Sequence, residues 1–411
     1  MLSETTTLPK APGSALDAVV GILSKYQGGE YYTYEDSDTW YIGIGSHASL
    51  VVSPDGKTAT KFSHDEKKES FPVAGSLNNT ARAFVTENSS LGRIFGQVGF
   101  NYSAIVSGQS YNCGHWPVLS LVDLIGGAIP TLSTAFMEVD VEMGRDDYIS
   151  RVGLAISQIK EGRYCKAIPS RMVNLPKRVD MLATLYHGRR ANTPARTFTV
   201  SHAGIQATGF SPEVLLSIKN DTVFTEALAG TQLSNAADSK LTNNALLNDP
   251  KEVMEHCIAI KGSIRRLSHI CPPESISVKD FMSFMPRGNV QRLFSHVSGT
   301  LRPGTDGWDA LLGLVANITV PGMPGQGNME AINTFEPHPR DMYCGAVLML
   351  DPAASLFEAT LVIRTVFQDE QRQWLQAGAG VTALSKPERE FTETCEKLGS
   401  IFPYVVAETE A

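Results

Sequence analysis

Ser385-Lys-Pro-Glu-Arg-Glu-Phe-Thr-Glu-Thr-Cys-Glu-Lys-Leu398 is the stretch around which the chain is organised. Ser385 followed by Glu388, with Pro387 inside the first turn, reads as a capped helix start. Phe391, Cys395, Leu398 and Phe402 then recur at helical spacing and predict a buried stripe. Glu390, Glu393 and Lys397 fall on a second stripe beside it, so two acids and a base share one face at the edge of a core.

A second helix repeats the device. Asn248-Asp249-Pro250 is a strong N-terminal signal, and Val253, Cys257, Ile260, Ile264 and Leu267 predict the buried stripe, with Glu252 and Glu255 one turn apart on its flank. Spacing alone leaves two readings open. The four carboxylates converge on a hard divalent cation with oxygen preference, such as Mg²⁺, or both pairs are ordinary solvated helix faces.

The 411 residues, 42% hydrophobic and 19% charged, suffice for one large domain or two ordinary ones. A formal net charge of -8 without any Lys/Arg block argues against nucleic acid as a partner. The six cysteines, Cys113, Cys165, Cys257, Cys271, Cys344 and Cys395, form no CxxC or Cys/His pattern and read as reduced structural thiols. No apolar run approaches the ~20 residues needed to span a bilayer, and no signal peptide is visible, so a soluble cytoplasmic protein is expected.

Residues 1–12 read as a disordered lead, 13–145 as a first half and 146–406 as the catalytic region of one interleaved domain. In the first half Tyr31-Tyr-Thr-Tyr34, Trp40 to Gly45 and Ala48 to Val52 read as strands, Leu77 to Glu87 as a helix and Gly96 to Tyr102 as a buried strand. Asp146 to Glu161 is a helix ending at Gly162. Tyr164 to Ile168 follows as a strand holding Lys166, which is expensive inside an apolar run unless paired; an edge strand with the lysine in water is the alternative. Thr222 to Thr231 places Glu226 in a strand entering a small-residue turn. Tyr343 to Leu350, Ala359 to Phe367 and Gln373 to Val381 read as an antiparallel meander, with Arg364 charged in its middle strand. Walker A, G-x-S-x-G, HExxH and dinucleotide fingerprints are absent from the sequence.

Taken in order, Glu226-Ala-Leu-Ala-Gly-Thr231, Lys251-Glu-Val-Met-Glu-His256, Tyr343-Cys-Gly-Ala-Val347, Ile363-Arg364, Ala377-Gly-Ala-Gly380 and the run from Ser385 form a series. It resembles the chorismate-utilising enzymes, which include anthranilate, aminodeoxychorismate, isochorismate and salicylate synthases. The resemblance implies an α/β fold of the α+β type, with two large packed antiparallel sheets, helices outside and the site in the cleft between them. It further implies a small-molecule substrate, chorismate, with Lys166 as base, Glu226 as acid, and Mg²⁺ on Glu252, Glu255, Glu390 and Glu393. Gly230, Thr231, Arg292, Thr319, Tyr343, Arg364, Gly378, Gly380 and Lys397 would then contact substrate or support the site, in a monomer or weak dimer.

Lysine at 166 resembles the water-adding members, and Asp280-Phe-Met282 with Pro387-Glu-Arg-Glu-Phe391 looks like the salicylate synthases. Three departures touch the same pocket: Arg292 stands where the family usually has histidine, Gln232 where arginine follows the Ala-Gly-Thr turn, and Thr319-Val-Pro-Gly-Met-Pro-Gly325 lacks a terminal lysine. The reading is therefore a Mg²⁺-dependent salicylate synthase acting through isochorismate. An isochorismate synthase without the lyase step, or an altered activity on chorismate or a related enolpyruvyl substrate, are the alternatives.

Overall fold

A computed structural model describes residues 14–26, 29–36, 39–63, 67–88, 92–106, 115–124, 135–164, 166–233, 246–287, 290–315 and 332–408. Two antiparallel sheets form the frame. The seven-stranded sheet runs, in spatial order, Thr39–Ile44, Tyr31–Asp36, Arg196–His202, Ile205–Ser211, Thr365–Gln368, Gln373–Gly378 and Ser170–Asn174. The eleven-stranded sheet runs Ser277–Arg287, Val290–Thr300, Thr222–Leu233, Val214–Lys219, Leu356–Leu361, Ala346–Asp351, Ile94–Val98, Leu119–Leu124, Ser46–Val52, Thr58–Ser63 and Lys68–Pro72.

The side-chain alternation of a strand sends successive residues to opposite faces, and here both faces of the central strands are buried. Along Tyr31–Asp36, Tyr31 faces the helices Ser14–Leu23 and Met181–Ala191, whereas Tyr32 and Tyr34 face the other sheet. The layer between the sheets is aromatic: Tyr32, Phe95, Phe198, Phe367 and Trp374 belong to one cluster, and Phe367 stacks on Trp374 with centroids 5.3 Å apart. Outside the eleven-stranded sheet lie the helices Leu77–Asn88, Pro250–Ile270 and Gly307–Val315. Helix Pro387–Leu398 covers the edge of the seven-stranded sheet and packs against Arg145–Lys160 through Phe391 and Tyr148.

The sandwich with outer helices matches the expected class, and several local expectations need correction. The expected strand Ala359 to Phe367 is two strands in different sheets: the chain leaves the eleven-stranded sheet at Leu361 and enters the seven-stranded one at Thr365. Arg364 makes that crossing with φ 54°, a left-handed conformation that a non-glycine residue adopts only when its surroundings fix it. The run Tyr164 to Ile168 is not a strand; Ala167 makes an isolated bridge to Val381, and the ladder begins at Ser170. The strand carrying Glu226 does not turn at Ala229 to Thr231 but continues to Leu233 through a register shift there. The expected strand from Gly96 ends at Val98, and Tyr102 opens a short helix.

Helix Pro250–Ile270 starts as expected, with Asp249 Oδ1 accepting from the Glu252 amide at 3.4 Å. Its inward face is one residue out of step with the apolar pattern. Cys257 and Ile264 are exposed, while His256 and Ser263 are buried with Ile260 and Leu267. The polar pair can face inward because His256 meets Ser295 Oγ at 2.8 Å and the Ala229 carbonyl at 3.1 Å, which no apolar-periodicity argument registers. Ser385 does not cap its helix; its hydroxyl accepts from the Thr382 amide at 3.0 Å, and Lys386 is the cap residue.

A fully buried ion pair braces the segment that carries Lys166. Arg340, 0% exposed, donates through Nε to Glu336 Oε2 at 2.8 Å and through Nη2 to the Ile168 carbonyl, while Glu336 Oε1 accepts from the Ser170 amide at 2.7 Å. Arg340→Ala leaves a buried carboxylate without its cation, which is expected to destabilise the fold by about 3–5 kcal/mol. Denaturant unfolding of the variant measures this, and an unchanged midpoint would contradict the role.

Candidate active site

Between the sheets, at the end reached by the two acidic helices, lies a cavity of about 190 Å³. Lys166, Gly378 and Gly380 contribute the side of the seven-stranded sheet, and Glu213, Glu226 and Arg292 that of the eleven-stranded sheet. Helix Pro250–Ile270 adds Glu252 and Glu255, helix Pro387–Leu398 adds Glu393 and Lys397, the turn before the strand Ala346–Asp351 adds Tyr343, and the crossover after Leu361 adds Arg364.

Lys166 is 5% exposed, which removes the edge-strand reading, and its Nζ lies 2.8 Å from Glu255 Oε1. A buried ammonium needs such a partner. Gly380 lies directly against the pair: a Cβ there would sit 2.8 Å from Glu255 Oε1 and 2.9 Å from Lys166 Cε, so only glycine leaves room for both. Tyr148 holds this turn, its hydroxyl accepting from the Ala379 amide at 3.2 Å and donating to the Pro169 carbonyl at 3.1 Å.

The second lysine makes the matching pair. Lys397 Nζ lies 2.7 Å from Glu393 Oε1 and donates to the Gly378 carbonyl at 2.8 Å. Glu252, Glu255 and Glu393 thus face the cavity, whereas Glu390, 3% exposed, is buried beside it and does not form part of its wall. Among the described residues no three acids converge into a ready cation shell. In donor chemistry the set still suits a hard cation, since every donor is a carboxylate oxygen, with Lys166 and Lys397 each paired to one of the acids.

Across the cavity, Glu226 is 9% exposed, and its Oε2 accepts from the Val214 amide at 2.8 Å. Beside it stands Glu213, a wall residue that sequence reasoning passed over; its only signal was a carboxylate set between Ser211-Pro212 and the apolar strand Val214–Lys219. The residue is half-buried and lines the cavity. Desolvation there pushes it up to about 8, with Arg292 and Lys166 opposing and Glu226 reinforcing the shift.

The remaining wall is cationic. Arg364 is tied through Nη1 to Ser400 Oγ at 2.7 Å and the Lys397 carbonyl at 3.3 Å. Burial and then the neighbouring Arg292 bring its guanidinium down to about 9. Burial raises the Tyr343 hydroxyl well above its ordinary range, so it remains a neutral donor. Burial likewise lowers His256, whose imidazole is an uncharged brace between two strands.

Eleven of the expected site residues therefore meet in one cavity, from Lys166 and Glu226 to Gly380 and Lys397. Gly230 and Thr231 lie at the register shift in the strand Thr222–Leu233, paired across to Arg292, with only their backbone described. Thr319 lies outside the described residues.

A lysine and a carboxyl contributed by different sheets, with carboxylates and guanidinium groups lining the same cavity, suit an anionic ring compound, and comparison with known proteins agrees. Residues 127–403 match the model of the chorismate binding enzyme family, and the chain belongs to that family. It is similar to the salicylate synthase of Mycolicibacterium paratuberculosis, with 32% identity over 98% of this chain and 97% of that protein. Anthranilate synthase component 1 of Halobacterium salinarum is 32% identical over 66% of this chain and 53% of that protein. The fold is shared with a putative 2,3-dihydroxybenzoate-specific isochorismate synthase from Bacillus anthracis, at TM-score 0.73 and 21% identity over 93% of this chain and 98% of that one. A menaquinone-specific isochorismate synthase from Escherichia coli superimposes at TM-score 0.70 and 18% identity, over 98% and 95%.

Glu213 gives a stability signature with a definite sign. An acid whose folded pKa is raised stabilises the fold relative to its ionised state below the unfolded value, near 4.5, and loses that contribution as pH rises to about 8. Glu213→Gln removes the titration. The stability of the variant relative to the parent is expected to improve between pH 5 and pH 8.5 in denaturant unfolding, and a difference that does not change with pH would contradict the burial of this carboxyl.

Proposed function

We propose that the protein is a Mg²⁺-dependent salicylate synthase that converts chorismate, through isochorismate, to salicylate and pyruvate. The observation that carries this reading is the buried Lys166 facing the same enclosed cavity as Glu226, one from each sheet. Similarity to a salicylate synthase along nearly the whole chain supports it.

Each residue has a task that its position allows. Lys166 takes a proton from a water that attacks ring carbon C2. Glu226, on the opposite wall, gives a proton to the hydroxyl leaving C4, so one water is added and one is lost, giving isochorismate. In the second step the ring C–O bond to the enolpyruvyl group breaks; the ring loses a hydrogen and the departing side chain gains it. Salicylate and pyruvate result without any oxidant. Arg364 binds the enolpyruvyl carboxylate as a guanidinium fork, and Tyr343 donates to it. Glu252, Glu255, Glu390 and Glu393 would hold Mg²⁺, which when bound neutralises the ring carboxylate and fixes the ring. Glu255 stands between two tasks, since the carboxylate that would help to hold the cation is also the partner of Lys166. Lys397 keeps Glu393 in place from the other side.

A second reading, arrest at isochorismate or diversion to another product, is favoured by one feature, the arginine at 292 in the cavity wall. Mass analysis of the products from chorismate and Mg²⁺ separates the readings. Salicylate with pyruvate supports the first, isochorismate alone or a new compound supports the second, and no consumption of chorismate overturns both.

Lys166→Ala is expected to lower turnover about a hundred- to ten-thousand-fold while leaving chorismate binding largely intact; undiminished turnover would remove Lys166 as the base. Glu393→Gln is expected to weaken Mg²⁺ binding in calorimetry, and an unaltered affinity would exclude that carboxylate from the metal site.

A further inference from the structure

Arg292 is the cavity residue that the mechanism above leaves without a task. It sits in the strand Val290–Thr300, opposite Thr231 in the ladder, and is 6% exposed. Its Nε is buried and has no hydrogen-bond partner among the described residues. A buried donor on a permanent cation is costly to leave unmet. The side chain nevertheless lines the cavity together with Arg364, the other guanidinium in its wall.

Of the described acids that line the cavity, Glu393, Glu226 and Glu255 have other partners and Glu213 is neutral. Glu393 is engaged by Lys397 at 2.7 Å, and Glu226 accepts from the Val214 amide at 2.8 Å. Glu213 feels the charge of Arg292, but burial holds it in the neutral form up to about pH 8. Lys166, also facing this space, is another cation and is paired with Glu255. The mutual repulsion of the two guanidiniums is visible on Arg364, whose acidity is increased by burial and then by Arg292. Two adjacent, incompletely answered guanidinium groups in an enclosed cavity make a site for an anion, and one carboxylate with two oxygens can satisfy both forks.

We propose that Arg292 is a specificity-determining residue that, with Arg364, grips the side-chain carboxylate of the substrate, so that the cavity selects ring acids carrying a second, flexibly attached carboxylate. The proposal rests on the chorismate reading only for the ring end of the ligand; the clamp itself follows from the two arginines. An arginine here also fixes a positive charge at every working pH, in contrast to a group that titrates near neutrality.

The test compares two non-reacting probes, 3-(carboxymethoxy)benzoate and 3-methoxybenzoate, which share a ring carboxylate and differ in the side-chain one. Calorimetry on the intact protein with Mg²⁺ is expected to give at least about ten-fold tighter binding of the carboxymethoxy compound. In Arg292→Gln that preference is expected to fall about ten-fold, with the affinity for 3-methoxybenzoate unchanged. Arg292→Lys, which keeps the charge without the fork, should retain part of the preference and serves if the glutamine variant does not fold. A native protein without the preference, or a variant that keeps it in full, overturns the proposal. If chorismate is not consumed yet the preference depends on Arg292, the clamp stands and the salicylate reading falls.

Discussion

The contact between Lys166 Nζ and Glu255 Oε1, 2.8 Å across, is the constraint on which the site depends. It joins a segment at the edge of one sheet to a helix lying on the other, and neither charge could remain buried without its partner. Much nearby structure serves to keep this pair in place. The Arg340–Glu336 pair fixes the backbone on the far side of Lys166, Tyr148 fixes the glycine turn, and Gly380 leaves the space that the two side chains fill. The pair is thus a product of the whole sandwich, although its two members are 89 residues apart in the chain.

The cavity is electrically mixed. Its wall holds Glu252, Glu255 and Glu393 from the two helices together with Lys166 and Lys397, and also Arg292 and Arg364, beside Glu213, which burial keeps neutral. A ligand with an anionic group at each end and a neutral ring between therefore has two different kinds of contact available, one through a cation and one through guanidinium forks. Under the proposed reading such a ligand lies with its ring between Lys166 and Glu226, which come from opposite sheets.

Much of this was legible in the chain itself. The acid pairs on two helices, the misplaced-looking Lys166, and the glycines at 378 and 380 all stand out because each violates a local rule of burial or propensity. The family resemblance then supplied the sandwich and the cleft. What escaped reading depends on distant partners. His256 and Ser263 face inward because of hydrogen bonds and cavity space contributed by other strands, so the apolar pattern pointed one residue off. Arg364 looked like the charged member of one strand, and only the pairing of Leu361 and Thr365 into different sheets reveals a crossing. Glu213 offered no periodic or motif signal, and its weakened acidity is a property of the desolvated setting around it.

The crossing at Val362 to Arg364 has a mechanical meaning. There three residues of backbone carry the chain from one sheet to the other at the border between the aromatic layer and the cavity. Whatever fills that cavity touches both sheets at once. Occupancy and cohesion are therefore linked: an occupant held by both walls adds its binding energy to the folded state and stiffens the molecule along the line where the two halves meet.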